Sequence, residues 1–452
     1  MSKVTLWTKQ GRLLDRKIRP NEQAYADGLL RLDVEGIAAW LVQSLAGFKS
    51  HPIEAIVPVG HGAGVVALAG EALAFPPLDY EQPIPPEVRD EYQQLRDPFS
   101  LTGSPALPDG LNIGSQLFWL DRLYPDAMAG AVFVPWAQYW AWFLSGRAVS
   151  EVTSLGCHSD LWNPFESRFS PLAQKMGWAD RFAPLARAGD TIGTLRSEIA
   201  EATGLSTKVE VLAGLHDSNA ALLAARGFEE IARNEATILS TGTWFIAMRL
   251  AGRHVPTASL PEARDCLVNV DAYGWSVPSA RFMGGREIET LIKLDTRRVD
   301  IKHDQPALLA AVPGLLASGC MVLPTFAAGC GPFPGQTGHW VNRPDDWFTQ
   351  RAAACLYAAL VADASLDLIG SRDQLLVEGR FAEAEVFVRA LAALRPDTTV
   401  YTANAHNDVS FGALRLINSM LKPQGELRRV EPLESDITDY RRLWRAQVGL
   451  PG

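Results

Sequence analysis

Apolar and polar positions along the chain change period in a way that predicts an ordered run of strands and helices. Val4 to Trp7 and Arg12 to Lys17 alternate around Lys9-Gln10-Gly11, which predicts an opening hairpin. Asp33 to Ala46 has helical spacing, and Ala55 to Val59 is a short apolar run entering Gly60-His61-Gly62-Ala63-Gly64. A second hairpin, starting from Val65 to Leu68, is expected to end at Leu78-Asp79-Tyr80-Glu81. The proline-rich stretch Pro83 to Asp109 reads as a surface excursion, and Ile113 to Tyr124 as a helix. Ala127 to Gly146 carries no charge and is long enough to consider as a membrane span. Pro135 divides it into a strand and a helix, however, so a buried strand–helix pair is expected. A helix from Thr194 to Thr203 comes next.

The second half repeats the form. Ala236 to Leu239 enters Ser240-Thr241-Gly242-Thr243-Trp244 and continues as the strand Phe245 to Leu250. A long apolar helix (Arg351 to Ile369) precedes the strand Gln374 to Val377 and the loop Glu378-Gly379-Arg380-Phe381-Ala382. A helix to Leu394, a strand (Thr399 to Thr402), a helix from Val409 and a charged helix over Glu431 to Trp444 complete it. Strands alternating with helices predict an α/β protein. The boundary is expected near residue 231, giving domains 1–231 and 232–452.

Three stretches carry candidate chemistry. Val209 to Gly227 reads as strand, tight turn and helix, placing His216 and Asp217 at the carboxyl end of a strand, where open α/β sheets keep their ligands. On these residues alone Asp217 is an N-cap and Gly227 a terminating glycine. The Ser240 to Thr243 turn offers hydroxyls and backbone N–H groups that suit phosphate oxygens, and by itself also reads as a structural turn. Gly379 sits at a strand-to-helix junction where an anion or a flat ring can approach. The Gly60 to Gly64 run lacks the G-x-G-x-x-G spacing and leads into a strand, which argues against a dinucleotide loop.

Composition narrows the partners. At 452 residues with a net charge of −9, the chain is long enough for two or three domains and is not expected to bind nucleic acid or an anionic membrane. Five scattered cysteines, none in a C-x-x-C arrangement, predict buried thiols in a reducing compartment. Met1 leads into SKVTLWTKQGRLL, with no secretory signal, so a cytoplasmic protein is expected.

The order of these pieces is more specific than any one of them. An acidic strand–turn–helix, then Ser240-Thr241-Gly242-Thr243-Trp244, then the strand–Glu378-Gly379–helix resembles the FGGY family of carbohydrate kinases. Ser115 to Pro125, Val134 to Gly146, Val152-Thr153, Ala186 to Gly193, Thr203-Gly204-Leu205, Gly214 to Ala221, Arg281 to Glu287 and Leu323-Pro324 are similar to further family segments. The resemblance implies a two-domain actin/hexokinase-like (ribonuclease H-like) ATPase fold, with sugar, ATP and Mg²⁺ in a cleft between domains. It implies that Asp217 is the catalytic base and that Thr241, Gly242 and Thr243 hold phosphate. Gly379, Arg380, Phe381 and Ala382 fall on the adenosine motif, with Asn404 or Asn407 near the base. His61, Gly62, Asp79, Tyr80, His216 and His158 become sugar candidates, with Asp160 a looser one. It identifies no metal ligand. The particular sugar and the oligomeric state, a homodimer among the options, are left open.

Two departures stand out. The family's first strand ends in a D-x-G-T-type turn, and Met1-Ser2-Lys3-Val4 aligns with the segment just after that turn. The expectation is a start site placed too far downstream; the alternative is a catalytically impaired sugar- or nucleotide-binding homologue. The second departure is Arg380, where the family usually has glycine; an arginine there could stack on the base or contact a phosphate.

Overall fold

A computed structural model of the chain describes residues 1–252, 255, 260–295, 302–403 and 409–451. They form two units. The first comprises Met1–Gly227, Val268–Ser276 and Asn407–Gln424, the second Phe228–Leu267, Val277–His406 and Gly425–Gly452. The expected single cut at 231 therefore differs from the chain's course, which returns twice to the first unit. Packing explains the second return. Gly412, in the helix Val409–Ile417, lets that helix press on Asp217–Ala225 so closely that a Cβ would stand 1.7 Å from the Ala220 carbonyl oxygen.

In the first unit the opening hairpin pairs Ser2–Trp7 with Leu13–Arg19, and Gly11 takes a positive φ of 83° at the turn. Helix Val34–Ala46 starts where Asp33 accepts the Gly36 amide at 2.9 Å. The strand expected over 55–59 is two short pieces, Ala55–Ile56 and Val59–Gly60. Each runs parallel to part of the 209–216 stretch: Ala55–Ile56 beside Glu210–Leu212, and Val59–Gly60 beside Leu215–His216. Pro58 and Gly214 make the break. Proline has no N–H to continue the ladder, and Gly214 at φ +76° leaves no room for a side chain against the Pro58 carbonyl.

The charge-free segment folds as the strand Val132–Pro135 and the helix Trp136–Ser145, which ends on Gly146 at φ +76°. Trp136 stacks on Tyr139 with centroids 5.7 Å apart, and both rings are buried. No helix among the described residues is long and apolar enough to cross a membrane. Residues 83–109 are not the surface excursion expected. They contain the helix Pro86–Leu95, whose Val88 and Tyr92 are buried in the core.

The second unit is built on sheet strands in the order Phe245–Leu250, Ala236–Thr241, Gln374–Gly379, Thr399–Ala403, Leu427–Arg429, with Ser279 to Phe282 pairing on the outer side of Phe245–Leu250. The three strands Ala236–Thr241, Gln374–Gly379 and Thr399–Ala403 are parallel, and Thr241 faces Gly379 in register. Helix Trp347–Leu368, capped by Asp346 on the Thr349 amide, is buried along most of its length. Its small alanines allow helices Gln305–Ser318 and Glu385–Leu394 to pack on it. All five cysteines are free, and four are buried.

Candidate active site

The helix that carries Asp217 runs Asp217–Ala225, and its capping position is His216 in extended backbone. Asp217 is thus the first helical residue and not the cap. Its carboxylate takes no backbone amide of the first turn. Oδ1 instead accepts the Ser218 hydroxyl at 3.3 Å and lies 3.2 Å from His216 Nε2. The side chain is 43% exposed, so an oxygen is available to a ligand while the helix N-terminus favours its charge. Gly227 also differs from expectation. It has no positive φ, and what excludes a side chain there is Pro423, whose ring a Cβ would meet at 2.6 Å.

Around Asp217 the first unit gathers several sugar candidates. His61 packs edge-on against Tyr80 with centroids 5.1 Å apart, and its Nδ1 lies 2.6 Å from the Gly62 carbonyl. Half-burial and the charges of Glu81, Asp79 and Asp217 raise the Tyr80 phenol above its ordinary range, so it stays a hydrogen-bond donor. Asp79 is engaged locally, accepting the Glu81 amide at 2.8 Å. Gly62 is needed because a Cβ would stand 2.7 Å from Cys157 Sγ and 3.2 Å from His216 Nε2. Buried Gln116 fastens this loop by donating to the Ala63 and Gly110 carbonyls.

His216 itself is 5% exposed. Burial lowers its pKa, the Asp217 charge opposes this, and His61 adds to the lowering, so the ring is neutral near pH 7. Cys157 Sγ sits 3.5 Å from its Nε2. Its backbone amide donates to Thr153 Oγ1 at 2.9 Å, and that hydroxyl donates to Glu151 at 2.5 Å. Glu151 is fully buried, which pushes its carboxyl up to about 7 against the pull of its hydrogen bonds from Thr153 and Ser154. Sequence reasoning missed Glu151 and Cys157 as neighbours of the site. No local signal marks them, since each meets the site only through His216, about sixty positions away.

His158 and Asp160 belong to a different arrangement. Asp160 is sealed in the core, its Oδ2 accepting Tyr92 at 2.8 Å and its Oδ1 accepting Arg96 at 3.1 Å. Burial raises its carboxyl and Arg96 opposes the rise. Asp160 thus holds the 156–163 loop in place and presents nothing to a ligand. His158, half-buried at φ +39°, has Nδ1 2.8 Å from the Leu111 carbonyl. His51, His303 and His339 are exposed, whereas His254 and His406 lie outside the described residues.

In the second unit, Thr241 is buried and its hydroxyl is occupied. It donates to the Glu378 carbonyl at 2.5 Å and accepts the Phe381 amide at 3.1 Å. Gly379 follows at φ +87°, where a Cβ would stand 2.2 Å from the Thr241 carbonyl oxygen. Phe381 and Ala382 point into the core, Phe381 against Phe245 at 5.1 Å, so only their backbone can face a nucleotide. Arg380 is half-buried, with Nη1 3.8 Å from Glu289. Ser240 and Thr243 are exposed, and a Cβ on Gly242 would meet only the Trp244 carbonyl at 3.8 Å. Gly285 packs on the back of this turn, with no room for a side chain against the Gly242 carbonyl. Asn404 and Asn407 lie outside the described residues.

The parallel strands of the second unit, the turn at 241–243 and the carboxylate at the head of the 217–225 helix define an α/β protein of the actin/hexokinase-like class. Residues 233–425 match the family model described as carbohydrate kinase FGGY, C-terminal domain. The chain is 69% identical to a carbohydrate kinase from Novosphingobium aromaticivorans whose crystal structure it matches with a TM-score of 0.96, over 99% of this chain and 97% of that one. A xylulose kinase from Lactobacillus acidophilus, 12% identical with a TM-score of 0.79 over 99% and 96% of the chains, shares the fold. L-fuculokinase of Salmonella typhi is 27% identical over 51% of this chain and 48% of its own. The chain spans about half the length of the curated relatives it matches. It belongs to the FGGY family of carbohydrate kinases and has that family's two-domain fold.

Proposed function

We propose that the protein transfers the γ-phosphoryl group of ATP to a hydroxyl of a small sugar, a ketose or related polyol, with Asp217 as general base. The observation that carries this reading is the Asp217 carboxylate itself: placed in the first turn of a helix, partly exposed, and not consumed by capping its own helix. A base in phosphoryl transfer needs position more than a perturbed pKa, because the reaction depends mainly on alignment and charge stabilisation. His61, Gly62, Asp79 and Tyr80 are the residues of the first unit offered to the sugar. The names of the relatives, xylulose kinase and L-fuculokinase, are those of kinases acting on ketoses and support that substrate class.

The second unit is assigned the nucleotide. Its exposed Thr243 hydroxyl and the room left at Gly242 suit phosphate oxygens, whereas the Gly242 N–H is held by the Trp244 carbonyl and Thr241 serves as the latch beneath them. Arg380 and the backbone of 379–382 are assigned to the adenosine side, together with Asn404. Among the described residues no group of three or more His, Cys, Asp or Glu side chains is placed to hold a metal ion. Mg²⁺ is assigned to the nucleotide phosphates, where it would neutralise charge as phosphate is transferred.

The test is Asp217→Asn. Sugar phosphorylation across a panel of ketoses is expected to fall by about 10²–10⁴-fold, with ATP binding and thermal unfolding retained. Full turnover in that variant would overturn the assignment of Asp217. A wild-type protein that consumes no ATP with any ketose or polyol would overturn the activity.

A further inference from the structure

We propose that His216 is not a sugar contact but the positioning residue of Asp217, its buried Nε2–H edge set 3.2 Å from Oδ1 so that the carboxylate is drawn to one rotamer. The inference rests on Asp217 being the base. It starts from an imbalance between the two neighbours. Asp217 is 43% exposed and receives no backbone amide, so without an anchor its carboxylate would sample several rotamers. His216 is buried and held from several sides.

The partners of the imidazole determine which nitrogen carries the proton. Asn219 Nδ2 lies 3.3 Å from His216 Nδ1, and an amide nitrogen can only donate, so Nδ1 is the acceptor. In a neutral ring the proton then resides on Nε2, which faces Asp217 Oδ1 at 3.2 Å and Cys157 Sγ at 3.5 Å. Turning the Asn219 amide over would bury its two N–H donors where Oδ1 now has no partner, and would set the Nε2 lone pair against the carboxylate. Burial keeps the ring from taking a second proton, with Asp217 opposing and His61 assisting.

The surroundings hold the ring in that pose. The His216 amide is tied to Thr153 and through it to Glu151, while Gly62 supplies the space that the thiol and the ring occupy. Both imidazole nitrogens are therefore engaged inside the protein, and neither is offered to a sugar hydroxyl. The groups facing the dyad are His61, Tyr80 and Cys157, besides Asn219 and Ser218.

Two measurements decide it. Nitrogen-15 NMR of histidine-labelled protein at pH ~7 should show His216 as the Nε2–H tautomer, with the Nε2–H resonance displaced in Asp217→Asn. An Nδ1–H tautomer, or an imidazolium, would overturn the proposal whether or not any sugar is turned over. In kinetics, His216→Phe should lose about 100-fold in kcat, with the sugar KM changed less than about twofold. His216→Gln, which can return an N–H to the Nε2 position, should recover most of kcat. A raised sugar KM with kcat intact would make His216 a sugar contact and overturn the positioning role. If wild type phosphorylates nothing, the activity reading fails while the tautomer measurement still decides which edge of the ring His216 turns to Asp217. If His216→Phe fails to fold, His216→Gln and the spectrum carry the test.

Discussion

Thr241 Oγ1 accepts the Phe381 amide at 3.1 Å although 140 residues separate them in the chain. The same oxygen donates to the Glu378 carbonyl, so one hydroxyl joins the turn after Ala236–Thr241 to the turn after Gln374–Gly379. The strands beneath are parallel neighbours, which brings both turns to one edge of the sheet.

Thr241→Val keeps the shape of the side chain but leaves a buried Phe381 N–H without an acceptor. The expected cost is about 1–3 kcal/mol of stability, with weaker binding of a non-hydrolysable ATP analogue. Thr241→Ser should retain most of both. Denaturant unfolding and calorimetric titration read the two effects, and an unchanged Thr241→Val protein would show that the latch does not matter.

Gly62→Ala tests the crowding behind Asp217. The new methyl would stand 2.7 Å from Cys157 Sγ and 3.2 Å from His216 Nε2, so ring and thiol must move. Displacement of this kind costs up to about 100-fold in rate. Adding Cys157→Ala removes the nearest obstruction, leaving Cβ at 3.5 Å, and is expected to restore part of the loss. Gly130→Ala, with nothing within 4 Å, is the neutral control. A Gly62→Ala enzyme with wild-type kcat would refute this account.

Glu151 gives a pH-dependent signature. Its carboxyl, ordinarily at 4.5, is pushed up to about 7 by burial, and one oxygen has no partner among the described residues. A raised carboxyl favours the protonated form in the folded state. Its contribution is fully present below pH 4.5 and is lost as pH rises through 7. Glu151→Gln carries no such penalty. It should melt like wild type near pH 5 and be more stable than wild type above pH 7, by up to about 3 kcal/mol. A difference that stays flat with pH would rule out the shifted carboxyl.

Much of the fold was legible before any coordinates. The hairpin at Gly11, the helix beginning near Asp33, the strand Phe245–Leu250 and the strand–helix pair divided at Pro135 each come from signals a few residues long. The order of motifs marked the family, because a sequence of several weak local patterns is far rarer than any one of them. That order also singled out Asp217 and the turn at 241–243.

Tertiary structure decided what those residues are free to do. Sequence predicts a carboxylate at a helix start but not whether it is used there. Asp33 caps its helix, whereas Asp217 does not and turns to His216. Asp160, in sequence a looser sugar candidate, is reached by Tyr92 and Arg96 from over sixty residues away and closed off. Thr241 likewise looked like a phosphate hydroxyl until Glu378 and Phe381 claimed it. Local periodicity arises from backbone geometry and is written in neighbouring residues. The partners of a polar group depend on chain crossings that short-range pattern does not encode. In a buried site those partners settle whether a side chain supports the scaffold or meets a ligand.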